Sequence, residues 1–214
     1  SMVASGGWQV AVDVQASSST FDDPKIAMGA EGDVFAVWTN YPSPLESIKR
    51  IYVSRYDYAA QRWAPKTELN PDHMDLAETP QVAASATGDA VVVWRQWDHL
   101  PDIASPIARI WAARYDAQSR KWDAQPLSGW HADAPQVVMD DAGNGMAVWS
   151  EPNLDLESRV RIRTAAYRAG FGWSQQGPMD PGIDDGALGH SRTPQIAMTG
   201  DGRAIAVWTQ QDTP

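Results

Sequence analysis

The sequence predicts an all-β fold: a β-propeller, or an arc of one, of about four blades, each a four-stranded antiparallel meander, with one blade incomplete. Two observations predict it: a motif that occurs four times at near-constant spacing, and strands that are apolar on both faces. With 214 residues, 43% of them hydrophobic, the chain can bury one sizeable core or a row of small units that share one. No stretch shows sustained helical periodicity.

The first motif, typified by TPQVAASATGDAVVVW at residues 79–94, predicts two strands, A and B, joined by a tight turn. In every copy glycine falls eight residues after the proline and tryptophan fourteen after, and the copies are spaced by 56, 55 and 59 residues. A glycine with positive φ would close the A–B turn at little cost. The copies span residues 22–38, 78–94, 133–149 and 192–208, with turn glycines at Gly32, Gly88, Gly143 and Gly202.

A second motif between the copies supplies strands C and D. It reads RIYVSRYDYAAQRW, RIWAARYDAQSRKW and RIRTAAYRAGFGW, at residues 50–63, 109–122 and 161–173. An apolar residue follows each closing tryptophan, at Leu69, Leu127 and Met179, and Trp8 with Val14 repeats this tail alone. In the second unit the predicted strands are 81–84, 90–94, 110–115 and 122–127.

Eight of the eleven tryptophans occupy two repeated positions. Strand B is apolar at nearly every position, so both of its faces must be covered, and radial stacking of blades achieves this. One indole can bury roughly 150–250 Å². We therefore predict wedges between blades, rather than ligand-stacking rings, at Trp38, Trp94, Trp149 and Trp208 in strand B and at Trp63, Trp122 and Trp173 in strand D.

The two motifs, PQ[IV]AxxxxGxAxAVW and RYDxxxxxW, resemble repeats of exported, mostly uncharacterised bacterial proteins related to sialidase-type (Asp-box) β-propellers. The resemblance runs from Trp8 to Trp208 and implies a propeller fold and a periplasmic, cell-surface or secreted location. An Asp-box, SxDxGxTW, stabilises the turn between the third and fourth strands. Residues 57–63 and 116–122 occupy that turn, but they lack the glycine, their Asp-to-Trp interval is one residue longer, and the third copy has Arg168 instead of aspartate.

The resemblance implies little about activity. A sialidase-like enzyme would need an arginine trio, a Tyr–Glu nucleophile pair and an acid–base aspartate, and none of these can be placed on a matching motif. We predict no catalytic residue. The predicted function is a non-catalytic binding or scaffold module that holds a glycan or a protein. The alternatives are a sialidase-like glycoside hydrolase fragment, supported by fold analogy alone, and a purely structural segment of a larger repeat protein.

One repeat domain is predicted over residues 8–214, after a cloning remnant and linker at 1–7. Its units lie near 22–69, 78–127, 133–179 and 192–209, with a further strand at 8–14. Fifteen strands result, and strand C of the last blade is missing. Three interpretations follow: an incomplete ring with a three-stranded closing blade, an arc of a longer parent, or a ring completed by a second chain. Unpaired strand edges favour the arc or self-association.

Composition limits the partners. A net charge of −10 and a pI near 4.7 oppose binding to nucleic acid or to anionic membrane surfaces. The apolar runs are too short to span a bilayer, and without cysteine there is no thiolate nucleophile or Cys-ligated zinc. We predict no cofactor and no metal site, because the four histidines fall on different blades and the acidic loop at 177–186 lacks DxDxDG spacing. The histidines are His73, His99, His131 and His190.

The face that carries the D–A and B–C connections, which we call the loop face, is the predicted binding surface. Its B–C connections, at 39–50, 95–109 and 150–161, are long and dissimilar, whereas the A–B turns are short and alike. Repeated polar residues would form a rim of acids and amides suited to sugar hydroxyls or peptide groups: Asp22, Glu78, Asp133 and Arg192 before the strand-A prolines, and Asn40, Gln96, Glu151 and Gln210 after the strand-B tryptophans. Trp97 and Trp130 lie outside the repeated positions and are predicted either as exposed stacking rings or as packing under a loop.

Overall fold

The computed structural model describes residues 21–29, 32–41, 48–70, 76–100, 103–153, 159–179 and 190–211. These ranges contain fifteen strands and no α-helix. No helix in them is long and apolar enough to cross a membrane. The predicted strand at 8–14, His73 and residues 180–186 of the acidic loop lie outside the described residues.

The strands form four antiparallel sheets, which we call blades one to four in chain order. Blade one contains β1 (Phe21–Met28), β2 (Val34–Asn40), β3 (Arg50–Asp57), β4 (Arg62–Trp63) and β5 (Thr67–Glu68). Blade two contains β6 (Ala77–Ala84), β7 (Ala90–Asp98), β8 (Ile107–Asp116) and β9 (Lys121–Pro126). Blade three contains β10 (Asp133–Met139), β11 (Gly145–Asn153), β12 (Arg159–Arg168) and β13 (Gly172–Pro178). Blade four contains β14 (His190–Met198) and β15 (Ala204–Gln211).

Blades one to three are meanders in the predicted order A, B, C, D, and the first strands of successive blades contact one another. In blade one the outer strand is broken into β4 and β5 by residues 64–66, where Pro65 has no N–H to donate to the ladder. Blade four has only strands A and B among the described residues. The fifteen strands of the structure are therefore not the same set as the fifteen predicted strands. The structure divides one predicted outer strand into β4 and β5, and the predicted strand at 8–14 lies outside the described residues.

The central strands extend further than predicted. β7 continues to Asp98 and β8 begins at Ile107, so the connection predicted at 95–109 is reduced to 99–106. The ladder passes through the polar positions, with Trp97 opposite Ala108 and Glu151 opposite Arg161. The prediction that the residues beyond the strand-B tryptophans lie in loops is therefore wrong. Asn40, Gln96, Trp97, Glu151 and Gln210 are strand residues, and His190 is the first residue of β14.

Two apolar cores lie between neighbouring blades rather than inside any one sheet. At the first seam, Phe35, Val37 and Ile51 of blade one pack with Val92 and Trp94 of blade two. The second seam repeats this arrangement one blade later, joining Val91, Val93 and Ile110 to Val137 and Trp149. Trp94 and Trp149 are fully buried, so these indoles fill the space between adjacent sheets. In each complete blade a strand-D tryptophan packs on a strand-C tyrosine: Tyr56–Trp63, Tyr115–Trp122 and Tyr167–Trp173.

The A–B turns follow the glycine chemistry that the sequence predicts. Gly32, Gly88, Gly143 and Gly202 have φ values of +88°, +84°, +84° and +86°, which side chains rarely adopt. In blades one to three the next residue fixes the neighbouring C–D turn through its side-chain oxygen. The acceptors Asp33, Asp89 and Asn144 receive the backbone N–H groups of Tyr58, Ala117 and Ala169 at 3.0, 2.9 and 3.1 Å.

Candidate functional site

A bulge interrupts strand A of every blade at its proline and the residue before it. The pairing register shifts there in all four sheets. The residue before the proline has a positive φ in each blade, at Asp23, Thr79, Ala134 and Thr193. Such bulges re-aim side chains at sheet ends. Each bulge begins directly after one of the charged residues predicted to form the rim: Asp22, Glu78, Asp133 and Arg192.

A hydroxyl from strand B fixes the bulge in three blades. Thr39 Oγ1 donates to the Asp22 carbonyl at 3.0 Å, Ser150 Oγ to that of Asp133 at 3.1 Å, and Thr209 Oγ1 to that of Arg192 at 3.0 Å. In blade two this position is Arg95 instead. Blade two therefore places a cation where the other blades place a hydroxyl.

Arg95 lies at the loop-face end of the seam between blades two and three. Its Nη1 is 3.0 Å from Glu78 Oε1 in the same blade and 3.7 Å from Asp133 Oδ1 in the next. The guanidinium carbon lies 4.5 Å from the centroid of the Trp97 ring. Trp97 Nε1 in turn donates to Glu78 Oε1 at 3.4 Å. Trp97 is thus a half-buried support for Arg95, with one ring face covered, which favours the packing interpretation over an open stacking ring.

Trp130 is an exposed aromatic residue in the chain segment that joins blades two and three. It lies in the connection from β9 to β10, three residues before Asp133, and 43% of it is accessible. The connection is anchored where the Ala132 N–H donates to the Ala108 carbonyl at 3.2 Å. The Asp133 side chain is 55% exposed beside the guanidinium of Arg95. We call Glu78, Arg95, Trp97, Trp130 and Asp133 the seam site.

Two predicted rim residues are buried and cannot meet a surface ligand. Asn40 is 1% and Gln96 0% exposed. Gln96 Oε1 accepts from Trp94 Nε1 at 3.0 Å, and its Nε2 donates to Asp98 Oδ1 at 2.9 Å. Asp98 also accepts from Trp111 Nε1 at 2.9 Å. Gln96 and Asp98 thus accept from indole N–H groups of their own blade. The prediction of an exposed amide rim is wrong at Asn40 and Gln96, because both side chains are buried.

Glu151 lines a small cavity of about 360 Å³ under the connection that carries Trp130. Its Oε2 accepts from Trp149 Nε1 at 2.7 Å and from the Gly129 N–H at 3.2 Å. Arg163, on β12, also lines the cavity. It occupies the strand-C position where the other complete blades have Tyr52 and Trp111. The predicted candidates omitted Arg163 and Arg95, although each breaks a repeated residue pattern that alignment of the units displays.

The outer blades complete the loop face. In blade one Lys49 Nζ lies 2.7 Å from Asp22 Oδ2, and this hydrogen bond raises the pKa of Lys49. In blade four Arg192 and Gln210 are exposed, and the hydroxyls of Thr193 and Thr209 lie 2.9 Å apart. The structure thus brings Glu78 and Asp133 together through Arg95, and it leaves Asp22 in a separate ion pair within blade one.

The C–D turns on the opposite face contain the aspartates that the Asp-box comparison identified. Asp57 Oδ1 accepts from the Ala60 N–H at 2.9 Å, and this hydrogen bond lowers the pKa of Asp57. Asp116 Oδ1 accepts from the Gln118 N–H at 2.9 Å and Oδ2 from Ser119 Oγ at 3.0 Å, and both bonds lower the pKa of Asp116. These carboxylates stabilise their own turns.

Solved structures resemble the chain, whereas sequences do not. No family model and no curated protein sequence matches it. A structure of unknown function from Dyadobacter fermentans aligns at a TM-score of 0.60 and 11% identity, over 90% of this chain and 63% of its own. The GH93 α-L-arabinofuranosidase of Fusarium graminearum, solved with arabinobiose, aligns at 0.56 and 12%, over 89% and 53%. A Hadza microbial sialidase aligns at 0.54 and 13%, over 82% and 39%.

The fold is a partial β-propeller. Antiparallel four-stranded blades together with sialidase and arabinofuranosidase neighbours confirm the predicted fold class. The chain spans between 39% and 63% of the length of these neighbours. At identities of 11–13% the likeness concerns the fold alone.

Proposed function

We propose that the chain is a non-catalytic binding module that holds a glycan at the seam site. One observation supports this most: an exposed indole, Trp130, lies three residues before Asp133, whose carboxylate pairs with Arg95 across two blades. Sugars present apolar ring faces and many hydroxyls, and they suit sites that combine an aromatic surface with a few fixed polar groups. The seam site offers both.

Each residue has a distinct role in the proposal. Trp130 stacks on a sugar ring, since its surface is open. Asp133 accepts hydrogen bonds from hydroxyls, and Arg95 donates them. Glu78 and the ring of Trp97 hold the guanidinium from within blade two. This support reduces the rotamer entropy that Arg95 would otherwise lose on binding.

Binding is favoured over hydrolysis by the partners that three loop-face carboxylates have within the protein. Asp22 pairs with Lys49, Glu78 with Arg95, and Glu151 accepts from an indole and a backbone N–H. A glycoside hydrolase needs a pair of carboxyl groups that face the glycosidic bond, whereas these three carboxylates bind the protein's own donors. The names of the propeller neighbours, a sialidase and an arabinofuranosidase, support a glycan as the class of ligand.

Isothermal titration calorimetry after a glycan array tests the proposal. α-Linked arabinobiose and a sialylated oligosaccharide are the first probes. We expect Trp130→Ala to weaken binding by about tenfold or more, as truncation of a central aromatic contact does, and Asp133→Asn to weaken it less. Phe171→Ala is the matched control, because Phe171 is 79% exposed in a C–D turn on the opposite face. A blank array, or unchanged affinity in Trp130→Ala, would contradict the proposal.

Fluorogenic arabinofuranoside and sialoside substrates separate binding from hydrolysis. We expect no release of fluorophore above the buffer rate. Turnover by the wild-type chain that disappears in Asp133→Asn, with Phe171→Ala retaining it, would support the hydrolase alternative and overturn the non-catalytic assignment.

A further inference from the structure

Among the described residues, blade four exposes strand-B positions that are buried in blades one and two. In strand B, two alternate residues face the next blade: Phe35 and Val37 in blade one, and Val91 and Val93 in blade two, all 0% exposed. At the same positions of blade four, Ile205 is 70% and Val207 61% exposed. We call these two residues the trailing face.

Blade one exposes the complementary positions. In strand A of blades two and three, Val82 and Ala84, and Val137 and Met139, pack against the preceding blade. The equivalent residues of blade one are Ile26 and Met28, which are 69% and 72% exposed. We call these two residues the leading face.

The two open faces match the two halves of the seams inside the chain. Each internal seam brings strand-B residues of one blade against strand-A residues of the next. Ile205 and Val207 occupy the strand-B positions of these seams, and Ile26 and Met28 occupy the strand-A positions. Four large apolar side chains exposed in two pairs also indicate interaction surfaces rather than ordinary scattered exposure.

We propose that the trailing face of blade four binds the leading face of blade one of a second copy, head to tail. The contact repeats the internal seam geometry between chains instead of within one. Such a contact is heterologous, because the two partners use different surfaces. The proposal does not depend on the glycan site, since the residues involved are on the outer sheet faces and not at the seam between blades two and three.

Analytical ultracentrifugation of two double variants tests the proposal. Ile205→Asp with Val207→Asp removes the trailing face, and Ile26→Asp with Met28→Asp removes the leading face. We expect the wild-type chain to sediment above 23.4 kDa and each double variant to sediment as a monomer. An equimolar mixture should restore association and give a species of about twice 23.4 kDa, because one intact trailing face meets one intact leading face.

Phe171→Asp, which places the same charge at another exposed apolar residue, should leave association unchanged. Circular dichroism of each variant establishes that the sheets are retained. A wild-type chain that stays monomeric up to roughly 100 µM would overturn the proposal. So would persistent association of the Ile26→Asp, Met28→Asp variant alone, which would indicate a symmetric contact, or a mixture that remains monomeric.

Discussion

β7 of blade two and β15 of blade four derive from the same motif and lie in opposite environments. Val91 and Val93 of β7 are 0% exposed, whereas Ile205 and Val207 of β15 are 70% and 61% exposed. The residues are equally apolar, so side-chain type does not explain the difference. β7 has a following blade that covers it, as the second seam shows. The strand-B side chains of one blade are therefore buried by the adjacent blade, as expected for repeat architectures whose units contact only adjacent units.

The largest expected contrast is between two tryptophans at one repeated position. Trp94 is fully buried at the first seam, whereas Trp208 is only half-buried. We expect Trp94→Ala to lower the free energy of unfolding by about 3–5 kcal/mol through lost burial and a cavity. Trp208→Ala should cost less than half of that. Urea denaturation measures both, and equal losses would mean that the neighbouring blade does not determine the burial energy.

Two isoleucines test the same dependence on a neighbouring blade with aliphatic side chains. Ile110 is 0% exposed in the second seam, and Ile205 is open on blade four. Ile110→Ala should destabilise by about 2–5 kcal/mol. Ile205→Ala should change stability by no more than about 0.5 kcal/mol when measured on the monomer. A large loss at Ile205 would indicate that its face is covered in solution.

A smaller contrast concerns the amide that satisfies a buried indole. Gln96→Ala leaves Trp94 Nε1, which now donates at 3.0 Å, without its acceptor. A buried unsatisfied donor costs about 1–3 kcal/mol. Gln210 occupies the same repeated position on exposed β15, and Gln210→Ala should be close to neutral. Thermal unfolding monitored by circular dichroism distinguishes the two variants. Similar decreases in Tm would show that the hydrogen bond to the Trp94 indole is not the cause of the loss.

The smallest expected effect is a pH dependence that differs between C–D turns. Hydrogen bonds from Gln118 N–H and Ser119 Oγ lower the pKa of Asp116. A lowered folded-state pKa adds stability above the unfolded value of about 3.9, and this stability is lost as pH falls through the folded value. Asp116→Asn should therefore lower Tm slightly at pH 7, with the difference vanishing in acid. Blade three has Arg168 at this position, so Arg168→Ala should show no such acid dependence.

Much of the fold could be predicted because its signals are local. The glycine at each A–B turn indicates a backbone with positive φ, and the spacing from glycine to tryptophan indicates the length of strand B. Gly88 and Trp94 thus predict the A–B hairpin of blade two without reference to the adjacent blade. The strand ends could not be located in the same way. Gln96 resembles a loop residue until Trp94 and Asp98, which bond it in the buried interior, are known.

The seam site was predicted only in part for a related reason. Asp133, Glu78, Trp97 and Trp130 stand out by composition or by repeated position. Arg95 was not predicted, since its ion pair with Asp133 joins strands of different blades. One sequence signal could have found it: Arg95 replaces the hydroxyl that Thr39, Ser150 and Thr209 provide at the equivalent position. A single departure from a repeated pattern is informative only when the remaining copies have a known role.

Hydrogen–deuterium exchange of the monomer measures the dependence on neighbours most directly. β7 pairs with strands on both sides, whereas β15 pairs only with β14 among the described residues. We expect amides of residues 90–98 and 145–153 to exchange at least about tenfold more slowly than those of 204–211, because local stability follows buried contacts and paired backbone. Equal protection of β7 and β15 at concentrations where the chain is monomeric would contradict the view that each blade is buried by the next.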